Sequence, residues 1–203
     1  RTTKCWSMNS ANVAVEGGGP SANVMSVAAG ADHSCAVFDV SVSCWGGNKD
    51  GQVGNGGFGY PVPAVTAVTG LASSATSVGA GYSYSCALVG GAGKCWGFGL
   101  TGQLGNGSTS STLTPVQATG LTSGITQLSV GGWHVCAIRS RIAYCWGGGY
   151  FGSLGNGLDT GSSVPIPVNN LPADVTAISA GREHTCAVVA GAGRGSAGAS
   201  VVS

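Results

Sequence analysis

Apolar and small residues alternate over short runs, at residues 24–28, 76–79, 125–130 and 175–180, and nowhere with the spacing of an amphipathic helix. Each run predicts a half-buried β-strand. A glycine follows each run and stands five residues before a cysteine (Gly30, Gly81, Gly131, Gly181), which predicts a bend or bulge there. Two more strand-like stretches then face each other across a tight turn. The sets are Cys35-Ala36-Val37 with Cys44-Trp45-Gly46, Cys86-Ala87-Leu88 with Cys95-Trp96-Gly97, and Cys136-Ala137-Ile138 with Cys145-Trp146-Gly147.

The first cysteines of these units, Cys35, Cys86, Cys136 and Cys186, lie 51, 50 and 50 residues apart, so the chain is a repeat array with a period near 50. A fourth copy is split. Cys186-Ala187-Val188 lies near one end of the sequence, and its Cys-Trp counterpart, Cys5-Trp6, lies near the other. The units read as residues 24–70, 75–120, 125–170, and 175–203 completed by 1–23, all in a single domain.

Within a unit the paired cysteines are nine residues apart, so two-residue turns at Asp39-Val40, Gly90-Gly91 and Ser140-Arg141 place Cys35 opposite Cys44, Cys86 opposite Cys95 and Cys136 opposite Cys145. Facing residues of an antiparallel pair are close to disulfide range. A glycine loop follows each Trp-Gly: Gly51-Gln52-Val53-Gly54-Asn55-Gly56, Gly102-Gln103-Leu104-Gly105-Asn106-Gly107, and Gly152-Ser153-Leu154-Gly155-Asn156-Gly157. Asn-Gly marks a turn because both residues tolerate positive φ. The Val or Leu inside each loop is read as a packing residue. Between Trp6 and Val24 there is no such loop, and Ser7 replaces the glycine after Trp6.

Composition sharpens this picture. Charged residues are only 7% of the chain, 43% are hydrophobic and 38 are glycine, which is neither a disordered nor a membrane composition. No apolar run reaches the length of a spanning helix, so membrane insertion is not expected. The net charge of +1 and the scattered basic residues give no footprint for nucleic acid. Eight cysteines without metal-type Cys-x-x-Cys pairs point to disulfides and an oxidising, extracellular or cell-surface location. The chain begins at Arg1, read as a processed form or a fragment.

The combined pattern of His-x-Cys-Ala-hydrophobic, Cys-Trp-Gly and Gly-x-Leu-Gly-Asn-Gly over residues 5–190 resembles the repeat of the regulator of chromosome condensation family. The resemblance implies an all-β fold of the β-propeller type with one blade per period, here four. It also implies a last blade completed by a strand from the other terminus, which fits the unpartnered Cys186 and Cys5. The cysteines resemble secreted bacterial members more than the nuclear one. Family rings usually hold about seven blades. The nuclear member's nucleotide exchange on Ran and its chromatin binding are not carried over, because no matching loop or basic arm is present.

Candidate chemistry is sparse. Asp32-His33-Ser34 has the letters of a hydrolase triad, but neighbours on one strand cannot converge on a substrate. His33, His134 and His184 occupy one repeat position, which Tyr84 interrupts, so packed histidines are expected before a metal site. Gly54-Asn55-Gly56-Gly57-Phe58-Gly59 fits a dinucleotide fingerprint only in letters, without the flanking strand and helix. Asn48, Asp50 and Asn55 lack the bidentate glutamate of a calcium loop. No enzyme activity, cofactor or metal is expected. The tryptophans after the cysteines are expected between blades, and Trp133, outside that pattern, is the candidate surface contact. Asn106 heads a glycosylation sequon, Asn106-Gly107-Ser108, and the Ser and Thr residues of 108–114 would suit O-linked sugar.

The expected function is a non-enzymatic extracellular structural protein whose partner is itself. The four units either close on themselves, with Cys5 bonded to Cys186 of the same chain, or form an open arc in which the strand holding Cys5 completes the Cys186 blade of a neighbouring subunit, in a filament or ring; the second is the expectation. The alternative is a monomeric module that binds another protein, as an inhibitor or adhesin.

Overall fold

The period written in the sequence becomes a row of antiparallel sheets in the computed structural model, which describes residues 23–190 together with the backbone of three short outlying strands. Those outlying strands are β1 (Lys4–Cys5), β2 (Val15–Glu16) and β17 (Ala199–Val202). The first blade contains β3 (Val24–Ala29), β4 (His33–Phe38), β5 (Ser41–Asn48) and β6 (Gly59–Ala67). The second contains β7 (Ala75–Ala80), β8 (Tyr84–Val89), β9 (Ala92–Gly97) and β10 (Thr112–Gln117). The third contains β11 (Ile125–Val130), β12 (His134–Arg139), β13 (Ile142–Gly147) and β14 (Ser162–Pro167). The fourth contains β15 (Val175–Ala180), β16 (Thr185–Ala190) and β17. The only helical element among the described residues is a single 3₁₀ turn at Tyr150–Gly152.

The hairpin register is the one the cysteine spacing predicts: Cys35 pairs with Cys44, Cys86 with Cys95 and Cys136 with Cys145. Each pair is joined in a disulfide. The two-residue turns close with positive φ at Asp39, at both Gly90 and Gly91, and at both Ser140 and Arg141. Such turns match the right-handed twist of the strands they join. The outermost strands carry Pro61 and Pro63, Pro115, and Pro165 and Pro167. An edge strand tolerates the missing N–H.

The core lies between the blades. One cluster joins Val37, Val42, Val53 and Leu71 of the first unit to Val78, Ala87 and Trp96 of the second. The next joins Leu88, Leu104 and Leu121 to Val135, Ala137 and Trp146, and the last joins Ile138 and Leu154 to Ile178 and Ala187. Along the inner strands the Ala31 N–H donates to the Gly81 carbonyl, the Tyr82 N–H to that of Gly132, and the Gly132 N–H to that of Gly181. No equivalent bond joins the fourth blade to the first among the described residues.

The fourth blade differs from the sequence expectation. In the single chain β17 lies along β16, with Ala187 opposite Val202 and Ala190 opposite Ala199, while β1 pairs with β2 through Lys4–Glu16 and Cys5–Val15. The edge expected to take Cys5 is therefore occupied by the strand nearer in sequence, and Cys186 carries no disulfide. β17 brings neither a cysteine nor a tryptophan to that edge. The Cys5 side chain and Trp6 lie outside the described residues.

Candidate functional site: the joints between blades and the two open ends

The glycine before each hairpin is required by close approach. A Cβ on Gly30 would lie 2.5 Å from the Gly81 carbonyl oxygen and from the His33 ring, and one on Gly131 would meet the Gly181 oxygen and His134 in the same way. The tight turn beneath that ring is closed by the Gly30 N–H donating to the His33 carbonyl, and the Gly131 N–H to that of His134. The expected bend is thus a turn that lets a ring reach across to the following blade.

Each ring makes such a crossing. His33 Nε2 lies 2.8 Å from Ser85 Oγ, which donates to the Gln52 carbonyl at 3.0 Å; that oxygen also accepts the Trp96 indole N–H at 2.8 Å. Because the Ser85 proton is used on Gln52, His33 donates through Nε2. At the second joint the Tyr84 hydroxyl is shared between the carbonyls of Gly131 (2.9 Å) and His134 (2.7 Å), and the Trp146 indole N–H donates to Gln103 O at 3.0 Å. At the third joint His134 Nε2 lies 2.8 Å from Thr185 Oγ1, which donates to Ser153 O at 3.0 Å. Burial lowers the pKa of His33 to about 4 against the opposing pull of Asp32, and burial with the nearby His184 lowers that of His134 to about 4. These histidines are neutral hydrogen-bonding struts. His184, at the same repeat position, has no following blade to reach among the described residues and is exposed.

The other sequence candidates are absorbed locally. Asn48 Oδ1 accepts the Val53 N–H, its Nδ2 donates to the Gly57 carbonyl, and Asn55 Oδ1 accepts the Gly57 N–H. Asn106, the sequon residue, is half-buried and accepts the Ser108 N–H in a comparable turn at 3.1 Å. Trp133 is half-buried. Its ring lies 4.8 Å from that of Tyr82 and 6.0 Å from that of Phe98, and the Arg182 guanidinium sits 5.5 Å above Tyr82. This small aromatic patch spans three blades beside the inner-strand turns. No three His, Cys, Asp or Glu side chains converge among the described residues. No helix there is long and apolar enough to cross a membrane.

The model of the regulator of chromosome condensation (RCC1) repeat matches residues 95–138 and 142–188. Those two stretches carry RCC1 repeats. One relative is the ultraviolet-B receptor UVR8 of Arabidopsis thaliana, 33% identical over 100 residues, which are 48% of this chain and 23% of that protein. Among solved structures, 88% of the chain superposes on 48% of human WBSCR16 with a TM-score of 0.77 and 22% identity. It superposes likewise on 44% of yeast RCC1 (Prp20), in the structure bound to Kap60, with a TM-score of 0.73 and 19% identity. The chain therefore spans about a quarter of the curated relative and about half of these structures, and the structural likeness establishes the propeller fold.

The repeat makes the two end blades readable against the inner ones. Val27 on β3 stands where Val78 and Ile178 stand on their blades; it is 60% exposed, whereas they are 8% and 3%. Trp45 is half-buried, whereas Trp96 and Trp146 are fully buried. At the far end, Val168 and Leu171 are half-buried although their counterparts Val68, Ala118, Leu71 and Leu121 are buried. The sequence alone does not mark these end residues, since every copy has an apolar residue at the same position. Comparing burial between copies does.

Proposed function

We propose that the chain is a non-enzymatic extracellular structural protein that joins head to tail with copies of itself. The carrying observation is the face of the first blade, where Val27 is 60% exposed and Trp45 half-buried, whereas Val78 and Ile178 and the indoles Trp96 and Trp146 are buried at the same positions of later blades and Leu128 is half-buried. The fourth blade offers the matching surface: exposed His184 stands where His33 and His134 reach a hydroxyl on the next blade, and Ser34 of the first blade holds the position of Ser85 and Thr185. A neighbouring copy's first blade would therefore extend the array in register. Its strand bearing Cys5 would replace β17 along β16 and stand opposite Cys186. A heterologous contact of this kind yields a ring or an open filament. Uncovered sheet edges and apolar faces otherwise invite nonspecific association.

Three intrachain disulfides support an oxidising location. There the Cys5 and Cys186 thiols would be oxidised by an exchanging disulfide, which takes up their two electrons and two protons. The deciding experiment is sedimentation across a concentration series combined with a non-reducing peptide map. Multimers with Cys5–Cys186 linked only in multiples of the chain mass are expected. The same link within one chain mass would overturn the reading in favour of a closed four-blade unit.

The second reading is a monomeric protein-binding module, favoured by the Tyr82–Trp133–Phe98 patch with Arg182. Prp20 of Saccharomyces cerevisiae, of the same fold, has binding properties to Gsp1p and histones, which makes protein partners reasonable for this propeller surface. A monodisperse monomer that loses a bound protein on Trp133→Ala would establish that reading.

A further inference from the structure

The joint between the third and fourth blades holds a cavity of about 320 Å³ lined by Cys145, Leu154, Val168, Leu171, Ile178 and Ala187. At the first two joints a fully buried indole fills the corresponding position. Trp96 packs among Val53, Val68, Leu71, Val78 and Ala87, which are the repeat counterparts of the cavity's own Leu154, Val168, Leu171, Ile178 and Ala187. Trp146 packs the same way among Leu104, Ala118, Leu121 and Ala137.

The seat is built as well as open. In the occupied joints the indole rests on a glycine, Gly54 or Gly105, so closely that a Cβ there would lie 2.6 Å from the indole nitrogen. Gly155 is the third glycine of that set and also lines the cavity, but its nearest neighbour is Val168. In the occupied joints the indole N–H donates to Gln52 O or Gln103 O. The counterpart, Ser153 O, accepts only from Thr185 Oγ1 among the described residues, although Gln52 O accepts from both Ser85 and Trp96.

We propose that this cavity is an indole-binding site, filled by Trp6 on the Cys5-Trp6 strand of a neighbouring copy. The occupant follows from register. Trp96 stands opposite Ser85 and Trp146 opposite Val135, each one residue beyond a cysteine pair, so a strand with Cys5 opposite Cys186 sets Trp6 opposite Thr185 at the cavity mouth. Cys5-Trp6 is also the one Cys-Trp pair of the sequence whose cysteine does not face another cysteine across a hairpin; Cys5 lies opposite Val15. The inference rests on the head-to-tail reading for the source of the strand, while the seat itself rests on the comparison of joints.

The test uses the full chain labelled with 5-fluorotryptophan, with the Trp6 resonance assigned by its loss in Trp6→Phe. A soluble paramagnetic agent then reports the accessibility of each tryptophan at several protein concentrations. Trp6 should be as protected as Trp96 and Trp146 in the assembled protein and lose that protection on dilution to the monomer. Ala187→Met, which narrows the cavity, should expose Trp6 at every concentration; unchanged Trp96 and Trp146 signals would certify that the blades remain folded. Trp6 fully accessible in assembled wild-type protein would overturn the indole site while leaving head-to-tail joining intact. Trp6 protected at all dilutions in a monomer would retain the site and overturn the assembly reading.

Discussion

The second joint and the outer face of the first blade carry the same repeat letters and reach opposite outcomes. At the joint, Trp146 is fully buried, donates to Gln103 O at 3.0 Å and seats on Gly105. At the outer face Trp45 has the same Cys before it and Gly after it, yet is only half-buried, with no preceding blade against it among the described residues. The difference shows that a blade of this fold is not a stable object in itself. Its hairpin is closed by a disulfide and a tight turn, but its apolar face is satisfied only by a neighbour, as in other repeat architectures.

The sharpest way to break that comparison is truncation at both places. Trp146→Ala should cost about 3–5 kcal/mol, the range for deleting a buried aromatic. Trp45→Ala should cost under about 1 kcal/mol in dilute monomer, because little buried area is removed. Urea unfolding of the two variants reads both; equal losses would show that the outer face is already covered in solution.

The next largest effect is on pH. His33 and His134 have folded pKa values lowered to about 4 from 6.5, so the unfolded chain binds protons first as the pH falls. Their contribution is fully present above about pH 6.5 and is lost as the pH falls toward 4, at most about 3 kcal/mol for each buried ring. Urea midpoints at pH 7 and pH 4.5 measure it. His33→Gln, which keeps an N–H donor toward Ser85, should flatten part of the slope.

The disulfides come slightly below that. Closing a ring of about ten residues stabilises by roughly 2.7 kcal/mol in the chain-entropy model. Cys86→Ala with Cys95→Ala, inside the array, should lower stability by about that amount, read by thermal unfolding under non-reducing conditions.

Much of this was legible in the sequence. A nine-residue spacing fixed the hairpin register because side chains alternate faces with a strict period of two. The glycines before the hairpins were visible but their reason was not. A bend was expected, whereas the residue is excluded from having a Cβ by a ring and by a carbonyl some fifty positions away in Gly81 or Gly181. The histidines are expected to pack, but that His33 and His134 cross to a hydroxyl on the next blade while His184 stays exposed depends on three-dimensional neighbours that one repeat cannot specify. The partner of Cys186 was assigned from the split copy, and the single chain instead lays β17 on that edge. Spacing alone could not weigh a nearby strand without cysteine against a distant one with it.

The smallest effect in the monomer is the most informative about assembly. Val27→Glu places a charge on a side chain already 60% exposed, so the folded monomer should change by less than about 0.5 kcal/mol. If the first blade is covered by the fourth blade of another copy, that same charge must be buried against an apolar face without a partner, at a cost far larger than the one measured in the monomer. Association measured by sedimentation should then weaken by an order of magnitude or more while the unfolding midpoint at low concentration stays put. A variant that associates as wild type would show that Val27 faces solvent in the assembly too, and that the first blade's outer face is not the joint.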